Sequence, residues 1–315
     1  MGRVCLVTGG AGFIGSHIVT ALVNRGDDVR VVDNLCTGYL DNLAHVAHAI
    51  DFHQADLNDG RLMQTVMQGV DTVFHQAALA SVPLSVERPL EVHHACVTGT
   101  LQVLHAAQQA HVRRVVYAAS SAAYGDSPDA VKSETIVPQP CSPYAVAKLA
   151  GEYYCQAFTS TYGLETVGLR YFNVFGPRQD PHSAYSAVIP IFITHLLEQR
   201  SPTIYGDGEQ TRDFTYVENV VQGNLLAADV PEVSGQVMNL ADGRRTSLLQ
   251  LYAVLQQLLG ADLPPQFAAA RAGDVKHSLA DISKARQLLG YEPRVDLQRG
   301  LEQSIDYYRS VLTRA

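Results

Sequence analysis

The sequence predicts an α/β protein with a Rossmann-type, doubly wound parallel sheet and a smaller, interleaved C-terminal substrate-binding domain. Three observations support this fold. Short β-rich runs alternate with helical patterns through the first half of the chain, which indicates right-handed βαβ units. A glycine-rich turn joins the first strand to the first helix, and an acidic residue ends the second strand. The second half lacks this regular alternation, which favours a separate smaller domain.

Length and composition limit the class of protein. The chain has 315 residues, of which 47% are hydrophobic, enough for one large domain or two joined domains. A net charge of −8 with dispersed basic residues argues against a nucleic-acid partner. We find neither a signal-peptide pattern nor an apolar run long enough to span a membrane. Five cysteines without a Cys-x-x-Cys pair favour reduced thiols, so we expect a cytoplasmic protein.

The glycine-rich turn is the first candidate binding feature. The β-rich run Val4–Thr8 precedes Gly9, Gly12 and Gly15, and residues 16–25 then have helical spacing. Glycines let the backbone approach a pyrophosphate, while the free N–H groups of the helix N-terminus attract its charge. A glycine cluster alone also fits a flexible turn, so this motif requires support from the rest of the chain.

The second strand supplies that support. The run Asp28–Asp33 ends on an acid about twenty residues beyond the glycines, where a carboxylate can accept hydrogen bonds from an adenosine ribose. Asp33 would repel a 2′-phosphate, and residues 34–38 contain no arginine that could bind one. The sequence therefore favours NAD over NADP.

Later strands bring further candidates to the same edge of the sheet. A third short strand has Asp56 and Leu57 at its end, and a fourth, Val70–His75, leads into the small residues of 76–80. A fifth strand, Arg114–Ala119, is followed by Ser120. Because parallel strands place their carboxyl ends at one edge, these groups are expected to converge on a single crevice.

Tyr144 and Lys148 are the candidate reactive pair. On a helix, residues four apart emerge from one face, and Pro143 suits the first turn of such a helix. A phenol has an unperturbed pKa of about 10, and a nearby ammonium can lower it toward a useful range. The pattern is also common on ordinary amphipathic helices, so its interpretation depends on the surrounding motifs.

Taken together, the glycine spacing, Ser120 twenty-four residues before Tyr144, and Tyr144-x-x-x-Lys148 resemble the extended short-chain dehydrogenase/reductase superfamily. Three further stretches, 170–178, 204–214 and 271–274, resemble its nucleotide-sugar epimerase/dehydratase branch. Within that branch, residues 173–190 are most similar to bacterial UDP-N-acetylglucosamine 4-epimerases. The resemblance covers essentially the whole chain.

The resemblance implies NAD-dependent 4-epimerisation of a UDP-hexose through a transient 4-keto sugar. UDP-GlcNAc/UDP-GalNAc are the expected substrates, with UDP-glucose/UDP-galactose as a second pair. UDP-glucuronate 4-epimerisation or decarboxylation stays open as an alternative, as does a non-catalytic NAD-binding regulator. Dehydration is disfavoured because Ser121 and Ala122 stand where dehydratases carry Asp-Glu.

The resemblance also implies roles for individual residues. Ser120, Tyr144 and Lys148 are expected to be catalytic, with Lys148 lowering the pKa of Tyr144 and hydrogen-bonding the nicotinamide ribose. The expected NAD-binding residues are Gly9, Gly12, Phe13, Ile14, Gly15, Asp33, Asn34, Thr37, Gly38, Asp56, Leu57, Gln76, Ala77, Ala78, Tyr144, Lys148 and Tyr171. The expected substrate-binding residues are Ala80, Ser121, Asn173, Gln179, Ala187, Val188, Tyr205, Arg212, Arg271, Asp274 and Ser278.

Domain boundaries follow from the same resemblance. The NAD-binding domain is expected over residues 1–172 with about 210–241, because the strand Val237–Leu240 returns to the sheet. The UDP-sugar-binding domain is expected over 173–209 and 242–315, closed by a helix from Gly300 to Leu312.

A homodimer is the expected assembly. Relatives pair through helices matching residues 91–110 and 143–162, where Leu101, Leu104 and Tyr153 could form the seam or belong to the core.

Cys96 stands where the family usually has asparagine, which puts local cofactor contacts in doubt. No metal is expected, because the histidine pairs lack Cys, Asp or Glu at ligand spacing.

Overall fold

A computed structural model describes residues 2–180, 187–269 and 276–312. The expected substrate residues Arg271 and Asp274 therefore lie outside the described residues. The strands are β1 (Val4–Thr8), β2 (Asp28–Asp33), β3 (Ile50–Gln54), β4 (Thr72–His75), β5 (Arg114–Ser120), β6 (Val131–Lys132), β7 (Glu165–Tyr171), β8 (Val174–Phe175), β9 (Thr203–Tyr205), β10 (Thr211–Arg212), β11 (Thr215–Tyr216), β12 (Gln236–Leu240), β13 (Thr246–Ser247), β14 (Gln266–Ala268) and β15 (Leu279–Ala280).

Helices connect these strands. They are α1 (Phe13–Arg25), α2 (Gly60–Val66), α3 (Val82–Glu87), α4 (Pro89–His93), α5 (Gly99–Gln109), α6 (Pro143–Tyr162), α7 (Val188–Leu197), α8 (Val217–Asp229), α9 (Leu248–Leu259), α10 (Ser283–Leu289) and α11 (Leu297–Leu312). Two 3₁₀ segments cover Leu40–Ala49 and Ser121–Tyr124.

The central sheet has seven parallel strands in the order β12-β7-β5-β4-β1-β2-β3. The order reverses between β1 and β4, and parallel sheets of this kind bind ligands in the crevice outside the strand ends at that reversal. The predicted Rossmann-type fold is confirmed. The late strand also returns to the sheet as expected, since β12 pairs with β7 in parallel register.

Both faces of the sheet are buried. Val7, Val31 and Phe74 pack on one face against α1 and α8, while Leu6, Val73 and Val115 pack on the other against α2 and α5. Strands buried on both faces need apolar residues at successive positions. This requirement explains why the central strands appear in the sequence as short continuous apolar runs.

The sequence has helical spacing over residues 89–110, but the helix there is interrupted. A π-helical turn at His94–Thr98 lies between α4 and α5 and contains Cys96, which is buried. Such turns insert an extra residue into the helical ladder and frequently occur near functional sites. Here the turn packs beside α6, the helix that carries Tyr144 and Lys148.

The C-terminal part has its own apolar core, formed mainly by α7, α9 and α11 with Phe175 and Phe214. In the described chain, four two-stranded sheets join its segments to one another or to the NAD-binding part: β10-β13, β11-β8, β14-β9 and β15-β6. None of the helices in the described ranges is long and apolar enough to cross a membrane.

Candidate active site

The glycine turn brings backbone closer together than side chains would allow. Gly9 has φ +67°, and a Cβ on it would lie 2.7 Å from the backbone of Ala77. A Cβ on Gly15 would lie 2.1 Å from the carbonyl oxygen of Gly9. Gly12 caps α1 with no side-chain hydrogen bond, so the helix N-terminus keeps free N–H donors. This cradle fits a pyrophosphate group.

Asp33 lies at the end of β2 and is buried. Its carboxylate accepts hydrogen bonds from the backbone N–H groups of Ala11 at 2.9 Å and Leu35 at 2.8 Å. These bonds hold the acid beside the glycine turn, where a ribose of a bound dinucleotide would lie. Gly38 does not line the cavity itself. It packs behind it, because a Cβ there would lie 2.9 Å from Ala11 and 3.1 Å from an Asp33 oxygen.

A cavity of about 380 Å³ opens over the carboxyl ends of the strands. Most of the expected NAD-binding residues line it, as does Ala80, which was expected to contact substrate. The lining includes Gly9, Gly12, Phe13, Ile14, Gly15, Asp33, Asn34, Thr37, Asp56, Leu57, Gln76, Ala77, Ala78, Tyr144, Lys148 and Tyr171. The structure thus brings together residues that are up to 162 positions apart in the sequence, from Gly9 to Tyr171.

Tyr144 is placed by the start of α6. Ser142 caps this helix, its hydroxyl accepting a hydrogen bond from the N–H of Ala145 at 3.2 Å, and Pro143 occupies the first turn. Burial raises the pKa of Tyr144 to about 12, while a hydrogen bond with Ser120 acts in the opposite direction. Tyr144 is therefore a neutral phenol at pH 7 unless further positive charge enters the site.

Lys148 lies one turn further along α6 and is also buried. Its Nζ donates to the carbonyl oxygen of Ala118 at 2.8 Å and lies 5.2 Å from the centre of the Tyr117 ring. Burial lowers the pKa of Lys148. Without a cofactor, burial has the largest effect on the pKa of Tyr144 and Ser120 supplies the opposing hydrogen bond, so the lowering of this pKa by Lys148 stays a prediction.

A buried hydrogen-bond chain lies beside Ala77 of the cavity wall, whose N–H donates to the Thr8 hydroxyl at 3.4 Å. Thr100 donates its hydroxyl proton to the carbonyl oxygen of Cys96 at 2.5 Å, so it accepts from Nε2–H of His75 at 2.9 Å. Nδ1 of His75 then accepts from the hydroxyl of Thr8 at 2.7 Å. Burial, with a smaller effect from the Lys148 charge, lowers the pKa of His75 to about 3. The ring is neutral and connects the end of β4 to the π-helical turn.

A second cavity of about 380 Å³ lies between the sheet edge and the C-terminal segments. It is lined by Asn173, Ala187, Val188, Tyr205 and Arg212, all expected substrate residues. Its other walls are mostly apolar, so a few polar groups would orient a ligand there.

Two further expected substrate residues, Gln179 and Ser278, lie next to these walls. Gln179 donates from Nε2 to the carbonyl oxygen of Val174 at 3.2 Å. Ser121 lines neither cavity and begins the 3₁₀ segment after β5. The N–H of Ser278 donates to the carbonyl oxygen of Thr211 at 3.1 Å, which places Ser278 next to Arg212. In the described residues there is no group of three or more His, Cys, Asp or Glu that could hold a metal ion.

Some lining residues were not singled out from the sequence. The first cavity also contains Cys36, Asn58, Ala118 and Ala119, and the second contains His195 and Gln210, among others. Ala118 and Ala119 could have been found from their position at the end of β5. His195 lies on α7, where no sequence pattern separates cavity-lining residues from ordinary core.

Comparison with known proteins agrees with this geometry. Residues 5–241 match the model of the NAD dependent epimerase/dehydratase family. A putative UDP-glucose 4-epimerase of Methanocaldococcus jannaschii is 37% identical over 97% of this chain and 98% of its own.

Two solved structures are similar along their whole length. The UDP-N-acetylglucosamine 4-epimerase of Methanobrevibacter ruminantium, in complex with UDP-N-acetylmuramic acid, is 40% identical with a TM-score of 0.95, covering 98% of this chain and 99% of its own. The UDP-glucose 4-epimerase of Thermotoga maritima, with UDP-glucose, is 38% identical with a TM-score of 0.94, covering 98% and 100%. The chain belongs to the NAD-dependent epimerase/dehydratase family.

Proposed function

We propose that the protein is an NAD-dependent UDP-hexose 4-epimerase that interconverts UDP-GlcNAc and UDP-GalNAc, and also UDP-glucose and UDP-galactose. The observation that carries this proposal is the meeting of Ser120, Tyr144 and Lys148 beside the cavity formed by the glycine turn and Asp33. The M. ruminantium and T. maritima relatives support both substrate pairs. The dinucleotide would lie along the first cavity and the UDP-sugar in the second.

The residues fit a reversible oxidation at C4 of the sugar. NAD, when bound, supplies a hydride acceptor that later returns the hydride, so no net redox change occurs. Tyr144 would take the O4 proton and give it back, acting first as base and then as acid. Ser120 would hold O4 by a hydrogen bond. To lose its proton at neutral pH, Tyr144 would need positive charge near its oxygen, which Lys148 and a bound NAD would supply.

Lys148 would orient the cofactor end of the site. Its Nζ uses one of three donors on Ala118, leaving others for a ribose hydroxyl. On the substrate side, Arg212 would bind the diphosphate, and Arg271 would add a second guanidinium. Asn173, Gln179, Ala187, Val188, Tyr205 and Asp274 would complete the nucleotide site. Residues 1–172 with about 210–241 would form the cofactor domain, and 173–209 with 242–315 the UDP-sugar domain.

The decisive test omits added cofactor. The purified protein is incubated separately with UDP-GlcNAc, UDP-glucose and UDP-glucuronate, and the products are resolved. Formation of the C4 epimers without added NAD is the expected result, and Tyr144→Phe should reduce the rate by about 10²–10⁴-fold. Carbon dioxide from UDP-glucuronate would identify a decarboxylase, and a 4-keto-6-deoxy sugar a dehydratase. NAD binding without turnover of any UDP-sugar would indicate a regulator.

Ser278 is the proposed determinant for N-acetylated sugars. In the family, a bulky tyrosine at this position restricts the pocket to unsubstituted hexoses, whereas a small residue admits the acetamido group. The place of Ser278 beside Thr211 and Arg212 supports a role near the sugar. Ser278→Tyr should abolish turnover of UDP-GlcNAc and spare UDP-glucose. Retention of both activities would contradict this role.

The proposed assembly is a homodimer formed through α6 and its neighbours. Val146 and Tyr153, seven residues apart on α6, are 52% and 55% exposed, and Leu90 on the adjacent α4 is 85% exposed. Such apolar exposure favours association. Leu104 belongs instead to the core, where it is fully buried. Sedimentation of wild type and Tyr153→Asp tests the dimer, which the variant should weaken.

We also propose a cytoplasmic location, which the five free cysteines support. Fractionation of cells producing the tagged protein tests it, since recovery with an exported marker would contradict this location.

A further inference from the structure

Asp213 is a buried carboxylate that the proposed chemistry does not use. It follows Arg212 directly and is 0% exposed. One carboxylate oxygen accepts hydrogen bonds from the N–H groups of Asp242 at 3.0 Å and Gly243 at 3.3 Å. The other accepts from Gly243 at 3.1 Å and from Ala280 at 3.2 Å. A single side chain therefore joins three separate parts of the sequence.

These contacts lie beside the second cavity, which is lined by Arg212 and Phe214, the two neighbours of Asp213 in the sequence. Segment 276–280 runs beside the Arg212 strand, with Thr211 N–H donating to Lys276 and Ser278 N–H donating to Thr211. The next N–H group in this ladder is that of Ala280. It donates to the carboxylate of Asp213 instead of to a backbone carbonyl oxygen.

Asp213 also reaches Asn173 through its backbone. Its carbonyl oxygen accepts from Nδ2 of Asn173 at 3.2 Å, and the carbonyl oxygen of Asn173 accepts from Thr215 N–H at 3.2 Å. Asn173 has a strained backbone, with φ +31°. Residues held in such conformations need surroundings that determine them. Asp213 thus connects the segments that carry Arg212, Ser278 and Asn173. We call its hydrogen bonds to these surroundings the anchor.

We propose that the Asp213 carboxylate is a positioning residue for UDP-sugar binding, holding Arg212, Asn173 and Ser278 in one arrangement. It does not touch the ligand site itself. The expected effect on binding rests on the proposed function, because it assumes a UDP-sugar substrate. The hydrogen bonds of Asp213 are present without any ligand.

Protonation of Asp213 would disturb the anchor. Both oxygens accept from N–H groups, so a proton on either one opposes at least one donor. Burial, together with the charge of Asp242, raises the pKa of Asp213 to about 7. UDP-sugar affinity should therefore increase as the pH rises from 6 to 8.

Other groups near Asp213 can be separated from it. Asp242 is itself buried and lies 3.8 Å from Arg244, while Tyr291 stays a neutral phenol because burial raises its pKa. His277 lies on segment 276–280, and its Nδ1 forms a hydrogen bond with the Thr211 hydroxyl at 3.0 Å. The variant His277→Gln removes this imidazole from the comparison.

The first test measures UDP-glucose affinity in Asp213→Asn. An asparagine has one acceptor oxygen, so its NH₂ group must face a backbone N–H on one side. The dissociation constant should rise at least tenfold while protein-bound NAD content stays unchanged. Asp207→Asn is the matched control, because Asp207 is exposed and pairs with Lys276 beside the same strand. A change within twofold for Asp213→Asn would overturn the proposal.

The second test follows the pH dependence. UDP-glucose suits it because both phosphates are diesters without a proton to lose near pH 7. In the His277→Gln background, affinity should rise about fivefold from pH 6 to 8, as expected for a tenfold difference between the two forms of one acid. The Asp213→Asn, His277→Gln double variant should show a flat profile. A flat profile with Asp213 present would overturn the proposal.

The third test needs no ligand. Amide resonances of Asp242, Gly243 and Ala280 should follow one titration with its midpoint near pH 7. If these three resonances do not share one titration, the proposed anchoring role of Asp213 is wrong. This outcome is informative even where Asp213→Asn fails to fold or no UDP-sugar binds. Absence of UDP-sugar binding together with the common titration would refute the proposed function and retain the anchor.

Discussion

The buried ion pair between Glu152 and Arg170 connects the catalytic helix to the sheet. Glu152 lies on α6 one turn after Lys148, and Arg170 lies on β7. Arg170 donates from Nε to Oε1 at 2.9 Å and from Nη2 to Oε2 at 2.7 Å. The side chain of Arg170 is 6% exposed and that of Glu152 is 2% exposed. The guanidinium lies 4.6 Å from the centre of the Tyr124 ring. This is a desolvated, bidentate pair.

Replacing Glu152 by Gln should strongly destabilise the protein. The substitution keeps the shape but leaves the guanidinium of Arg170 buried without its counter-charge. Breaking such a pair costs about 3–5 kcal/mol, a large part of the roughly 5–15 kcal/mol stability of a typical domain. Urea unfolding followed by circular dichroism measures this loss. The exposed pair of Asp207 with Lys276 provides the control, since Asp207→Asn should leave the stability nearly unchanged.

A double substitution tests the cause. Glu152→Leu with Arg170→Met removes both charges and keeps apolar volume, so it should be less destabilising than Glu152→Gln alone. A cost below about 1 kcal/mol for Glu152→Gln would show that water or rearrangement compensates the charge. A double variant less stable than the single one would show that packing or other contacts dominate.

Three further outcomes can be measured. Gly15→Ala should lose bound NAD on gel filtration, because its Cβ would lie 2.1 Å from the Gly9 oxygen. Gly60→Ala should retain NAD, because the nearest atom to its Cβ would be the Gln102 side-chain oxygen at 4.0 Å. Ser247→Ala removes the capping box with Gln250 at the start of α9 and should cost about 1 kcal/mol in urea unfolding; no loss would show that the cap is replaced by water. For Asp213, the folded pKa of about 7 exceeds the unfolded value near 3.8, so the folded protein binds more protons between these pH values. The stability of wild type minus that of Asp213→Asn should therefore fall as pH rises from 4 to 7, by up to about 4 kcal/mol, and a pH-independent difference would contradict the raised pKa.

Local sequence patterns predicted the sheet well because its strands carry their own signals. The β-rich runs at Val4–Thr8 and Asp28–Asp33 have the observed bounds, and the strand at Arg114 extends one residue further than expected, to Ser120. The prediction for the end of the third strand was less accurate. The strand ends at Gln54, two residues before Asp56, because the end of a strand depends on its pairing with a neighbour, which a single run of residues does not reveal.

The interrupted helix also shows that local spacing does not predict features that depend on distant contacts. Residues 89–110 have helical spacing, yet the chain forms a π-helical turn at His94–Thr98. Thr100 contacts His75 from β4 in this region, twenty-five positions away in the sequence. A pattern that reflects only the spacing of apolar residues does not include such a contact.

The sequence by itself predicted the alternation of strands and helices in the first half, the glycine turn and Asp33, since each depends on residue type at short spacing. The resemblance to a known family added the set Ser120, Tyr144 and Lys148. Only the tertiary structure decided the charge states and the anchors, because they depend on desolvation and on partners distant in sequence. Burial makes Tyr144 a weaker acid than a free phenol, and three distant N–H groups meet on Asp213. No local pattern records either effect.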